Sequence, residues 1–179
     1  MVVNMMASLI NDDMRTLIGQ EYGVQQRSVP VALSDIRKWA MAVYYPEIPP
    51  RLFWDEEFAS HSRYGGIVAP EEFNPFAWIT SDGPRVAPTF TGPITESGPE
   101  GAFGVKPPPT SHILNGGNSA VYGVRMRLGD VITSSRRRVV DYREVVGRLG
   151  PTLFTTTEVT WTNQPGERVK TSRDVLIRY

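Results

Sequence analysis

The chain has 179 residues, the size of one domain rather than two. Nineteen Lys and Arg balance nineteen Asp and Glu, which argues against general nucleic-acid binding, because that needs a cationic surplus. Cysteine is absent and the only histidines are His61 and His112, so disulfides, cysteine zinc sites and thiol nucleophiles are excluded, and clustered-histidine chemistry nearly so.

Hydrophobic residues make up 40% of the chain, enough for a sizeable core. The first fifteen residues are mildly apolar but carry no basic leader region, and Asn4, Asn11, Asp12 and Asp13 interrupt them. No apolar run approaches a bilayer span. The expectation is a soluble, cytoplasmic protein with no membrane or nucleic-acid partner.

Along the chain, Gln20 to Val31 reads as a strand. A helix is predicted to begin at Ser34 as N-cap, with Asp35 in its first turn. Ile36, Trp39, Ala40 and Val43 form its apolar stripe, and Pro46, Pro49 and Pro50 forbid continuation. A second, short helix is predicted from Asp55 to about Arg63, ending at Gly65-Gly66. A third, aromatic-rich helix follows Pro70 and carries Phe73, Phe76, Ala77 and Trp78, although Pro75 would kink it or confine it to short turns. Thr80 to Thr110 is proline- and glycine-rich and reads as an excursion without long regular elements, either functional or a tolerated insertion.

The second half turns to β. Tyr122 to Met126 and Val131 to Val146 are β-rich, with a turn at Leu128-Gly129-Asp130. Leu153, Thr155, Thr157, Val159 and Trp161 alternate on one face of a long strand. Asn163 to Gly166 reads as a type II turn with Pro165 and Gly166 central. Val169, Thr171, Arg173, Val175, Ile177 and Tyr179 then alternate to the terminus. Helices first and long antiparallel strands second give an α+β class.

Few side chains suggest chemistry. Gly65-Gly66 permits a close backbone approach, and the helix expected after Pro70 would offer free N–H donors, but the simpler reading of the same residues is a helix–helix turn. Neither nucleotide-binding glycine motif occurs. Arg136, Arg137 and Arg138 on a strand point to alternating faces and form no single phosphate patch. Glu56 and His61 diverge on one helix, and Asp55-Glu56-Glu57 reads as helix N-terminal charge rather than a metal site.

Taken in order, several stretches resemble the MaoC-like hydratase/dehydratase family, in the type that forms the N-terminal half of its double hot-dog enzymes. They are Ser34 to Ala40, Leu52 to Ala59, Tyr64 to Pro70, Leu128 to Ile132, Gly147 to Pro151, and the turn at Trp161 to Gln164. The resemblance runs from about Leu17 to Tyr179 and implies one hot-dog domain over residues 1–179: a curved antiparallel sheet around a central helix, here Pro70 to Ile79.

In that family a hydratase Asp and His lie in a segment of the form G-D-x-N-P-x-H-x-D and activate water for addition to an enoyl thioester. Here Asp55 matches the final Asp, Phe53 stands where the His belongs, and no Asp occupies the earlier position. Phe cannot transfer a proton. The resemblance therefore implies a subunit of an enoyl-CoA hydratase or 3-hydroxyacyl thioester dehydratase with no catalytic residue of its own. It would complete an acyl tunnel for an acyl-CoA or acyl-carrier-protein thioester, while a MaoC-like partner supplies the Asp and His. Gly65, Gly66, Ile67, Ala69, Pro70, Phe73 and Phe76 are the expected wall residues, and no cofactor or metal is implied. The alternatives are a noncatalytic binding or structural subunit, and a self-sufficient hydratase or thioesterase using Glu47.

Overall fold

In a computed structural model of the chain, residues 8–77, 79–80, 83–84, 98–148 and 150–179 are described. Helix α1, Asp12–Thr16, is capped by Asn11, whose side chain accepts from the Met14 amide at 2.8 Å. The expected strand over Gln20 to Val31 is reduced to two short pieces, β1 (Glu21–Tyr22) and β2 (Gln26–Arg27). Helix α2 runs Leu33–Tyr44. Its N-cap is Ala32, not Ser34, whose hydroxyl instead turns to the Asp35 carboxylate at 3.4 Å. Ile36 and Ala40 are buried as expected, but Val43 is exposed. Tyr44, one i+4 step beyond Ala40, packs against Phe53 in its place.

A single 3₁₀ turn, Arg51–Phe53, leads into α3, Glu56–Ser60, with Asp55 as its N-cap. The third helix is not formed. Residues 70–77 make only turns, closed by Phe73 N to Pro70 O at 3.1 Å and Ala77 N to Asn74 O at 3.3 Å. Pro75 removes one helix donor and biases Asn74 away from helical geometry. The Asn74 side chain then accepts from the Phe76 amide at 3.0 Å, a local bond that competes with a helix. After this come β3 (Ile79–Thr80) and β4 (Gly83–Pro84), a two-stranded antiparallel pair. Residues 81–82 and 85–97 of the expected excursion lie outside the described residues. Its far end is not loose surface: a 3₁₀ helix, Pro99–Phe103, carries the buried Pro99 and Glu100.

The remaining strands are β5 (Ile113–Tyr122), β6 (Thr133–Ser134), β7 (Arg137–Gly147), β8 (Gly150–Thr162) and β9 (Arg168–Arg178). The first of them precedes, rather than follows, the Tyr122 expected to open it. β8 is the spine: β9 pairs along one edge, while β7 and then β6 share the other. β5 lies outside β9, β1 outside β7 and β2 outside β6, all antiparallel. The Leu128–Asp130 turn forms, with Gly129 at φ +84°. The β8–β9 turn sits one residue earlier than expected, closed from Gly166 N to Asn163 O at 3.0 Å, so Gln164 and Pro165 are central.

Two apolar clusters pack on this sheet. One joins α2, Phe53, Val68, Ala69, Phe73 and Phe76 to Met126 and Ile132. The other joins Leu9, Met14 and Leu17 to Val139, Tyr142 and Leu153. Phe76 stands edge-on to Trp161 with centroids 5.1 Å apart, so the 70–77 segment packs inward although it is not helical.

On the opposite face of the sheet Glu158 accepts from Arg173 at 2.8 Å and from Arg138. These bonds, Arg173 first, hold its carboxyl below the usual range. A carboxylate with a lowered folded pKa stabilises fully above its unfolded pKa, and the contribution fades as pH falls through the folded value. Thermal unfolding followed from pH ~7 down to pH ~3 should therefore decline less steeply in Glu158→Gln than in the parent chain. Parallel declines would show that the triad contributes nothing.

Candidate functional site

The glycine-containing segment is built as a connector. Gly65 takes φ +65° and its amide bonds the Ser62 carbonyl at 3.0 Å, closing the turn after α3. Val68 bridges Arg127, and the Ala69 amide donates to the Met126 carbonyl at 2.9 Å. Since no helix begins at Pro70, the free donors expected there do not exist in that form. Ala69, Pro70, Phe73 and Phe76 are buried, Gly66 and Ile67 half-buried, and Gly65 exposed. Phe76 lines one cavity and Phe73 another, with Asn74 common to both; the other five expected wall residues line neither.

At the motif positions, Phe53 is a core residue, 4% exposed. Asp55 is committed to structure. Its carboxylate accepts from the Phe58 amide at 2.9 Å and from Arg51 Nη2 at 2.7 Å, and these bonds, the amide first, keep it below the usual carboxylate range. Glu47 is exposed just beyond α2. His61 bonds the Glu57 carbonyl through Nδ1 at 2.8 Å. His112 stacks on Tyr179, centroids 5.1 Å apart.

A polar constellation that the sequence reading did not single out occupies the middle of the sheet, between the two apolar clusters. Arg137 Nη1 donates to Asp174 at 2.7 Å and to Thr157 at 3.0 Å, and Asn118 also donates to Asp174. Tyr22 lies beside them, its phenol pKa raised by burial and pulled back by Arg137 and Thr157. A cavity of about 350 Å³ lies on one side, reaching Phe76 and Trp161. Another of about 640 Å³ lies on the other, reaching Ile113 and Leu176. Tyr22, Arg137 and Asp174 line both.

The β9 residues that line these cavities are Ser172, Asp174 and Leu176, joined at the larger one by Val175 from the odd-numbered row whose alternation was read from the sequence. Arg178, in the row of Asp174, is fully buried on Glu100 and Thr155. One signal for the cluster was present: Thr155 and Thr157 sit inside the otherwise apolar row of β8.

No curated protein sequence matches the chain. Solved structures do share its fold. A chain of the ChsH1-ChsH2 complex from Mycobacterium tuberculosis superposes with a TM-score of 0.62 at 15% identity, over 88% of this chain and 83% of that one. A chain of the HadBC (3R-hydroxyacyl-ACP dehydratase) complex from Mycobacterium tuberculosis gives 0.57 at 19% identity, over 90% and 96%. The MaoC-like dehydratase from Rhodospirillum rubrum gives 0.50 at 20%, over 88% and 92%. At these identities the likeness is one of fold, and the fold is the hot dog. The family model for the FAS1-like dehydratase domain region matches residues 16–172, nearly the whole chain, and the protein belongs to that family.

Proposed function

We propose that residues 1–179 act as one hot-dog subunit of an enoyl-thioester hydratase or 3-hydroxyacyl-thioester dehydratase, walling the acyl site while a MaoC-like partner subunit supplies the catalytic Asp and His. The observation that carries this reading is the fate of the chain's own proton-transfer groups. Hydration of an enoyl thioester needs an acid and a base aimed at one water. Asp55 is spent as a helix cap held by Arg51, Phe53 fills the core at the position of the family's His, and His61 and His112 bond a backbone carbonyl and stack on a ring. Two of the fold's relatives, ChsH1-ChsH2 and HadBC, are complexes of unlike chains, which supports a partner here.

The substrate in this reading is an acyl-CoA or acyl-carrier-protein thioester. Gly65, Gly66, Ile67, Ala69, Pro70, Phe73 and Phe76 contribute by shaping and bracing the wall, with Phe76 reaching a cavity directly. No described helix is long and apolar enough to cross a membrane. The test is co-expression with a MaoC-like protein that carries the D-x-N-P-x-H motif, followed by purification and assay on a panel of 2-enoyl-CoA thioesters. The expected result is a stable complex that hydrates at least one of them. Failure to associate with any such partner, together with turnover by this chain alone, would reject the reading.

A further inference from the structure

The polar cluster in the middle of the sheet has unused hydrogen-bonding capacity. Arg137 spends only Nη1 on Thr157 and Asp174; its Nε and Nη2 groups have no hydrogen-bond partner among the described residues. Asp174 neutralises the guanidinium, and the pair stands where two cavities of about 350 and 640 Å³ meet, volumes in the range that encloses small organic ligands. A plain alkyl chain laid through this junction would strip water from donors and give nothing back. A carboxylate would meet Asp174 at close range. A neutral oxygen satisfies Arg137 without either cost.

Resting on the hydratase reading above, we propose that Arg137, braced by Asp174 and Thr157, binds a ketone or hydroxyl oxygen on the acyl chain away from the thioester, and so selects oxygenated acyl thioesters over plain ones. Thr157 and Asp174 act here as positioning residues, since they aim the guanidinium.

The experiment uses the complex with the partner subunit and 2-enoyl-CoA thioesters of one chain length, either plain or carrying a ketone moved along the chain. At one ketone position kcat/KM should exceed that of the plain thioester by about 10-fold or more. Arg137→Lys keeps a charge for Asp174 but loses the planar fork of donors, and should shrink that ratio to within about 2-fold. No favoured ketone position, or a ratio that survives Arg137→Lys, would overturn the proposal. If the complex hydrates no enoyl thioester at all, the hydratase reading fails separately. Equilibrium binding of the same thioesters, followed by tryptophan fluorescence, then decides the cluster's role. Tighter ketone binding lost in Arg137→Lys supports it, and equal binding rejects it.

Discussion

Replacing Arg178 or Glu100 by Ala should lower the stability of the chain by about 3–5 kcal/mol. Both side chains are fully buried. The guanidinium donates through Nη1 and Nη2 to the two carboxylate oxygens, each at 2.8 Å, and through Nη2 to Thr155 at 2.8 Å. Removing either partner leaves an uncompensated charge in an apolar interior, which is far worse than losing one hydrogen bond. The neighbouring Tyr142 phenol reports the same environment, its pKa driven up by burial first and then by the Glu100 charge. Paired replacement, Glu100→Leu with Arg178→Met, should recover most of the loss, because two well-packed apolar groups need no partners. Urea midpoints of the parent chain, the single variants Glu100→Leu and Arg178→Met, and the double variant measure this cycle. Single losses below about 1 kcal/mol, or a double variant as unstable as the two losses added, would show that the pair is not held as described.

This pair also redraws the proline-rich excursion. A loop deletion running through residues 98–104 would remove Glu100 and leave Arg178 buried alone. Gly98 is equally constrained: a Cβ there would lie 2.1 Å from Glu100 Oε2 and 2.4 Å from Arg178 Nη1. Any shortening that is to spare this anchor must end before Gly98.

The purified chain alone is expected to show negligible hydratase activity, and activity should appear on adding the MaoC-like partner. General acid and base groups each contribute about 10²–10⁴-fold, so a chain lacking the aligned pair retains little rate. In the reconstituted complex, changing the partner's motif Asp or His should therefore lower kcat by at least about 10²-fold. Glu47→Gln and His61→Ala in this chain should change it by less than about 3-fold, since Glu47 is exposed beyond α2 and His61 bonds the Glu57 carbonyl. Robust turnover by this chain alone, lost on Glu47→Gln, would make it a self-sufficient enzyme instead.

The long strands β8 and β9 were legible because period-two alternation and turn residues agree over them, and β7 from its β-rich composition. Helix α2 was legible from its stripe, apart from its cap and Val43. The helix after Pro70 was read from its aromatic run and again from the family resemblance, with Pro75 expected to kink it or confine it to short turns, and turns are what form. In β9 the alternation was read without a face: Val169 joins the core, while from Thr171 onward the other row carries Ser172, Asp174 and Arg178, held by partners that sequence alone does not bring near. The Arg137–Asp174 cluster was hidden for the same reason. Tyr22 comes from a two-residue strand, and Asn118, Arg137, Thr157 and Asp174 come from four different ones.

The one-sided pairing of β5 has a consequence for amide exchange. Both edges of β8 are occupied along most of its length, so its amides should exchange only through large openings of the sheet. Among the described residues β5 bonds only β9, and its register shifts between Asn115 and Asn118. In an antiparallel edge strand alternate N–H groups point away from the neighbour. Deuterium uptake along Ile113–Tyr122 should thus come in two classes, one slow and one close to the rate of free peptide. A partner laid along that edge would be read directly as the disappearance of the fast class.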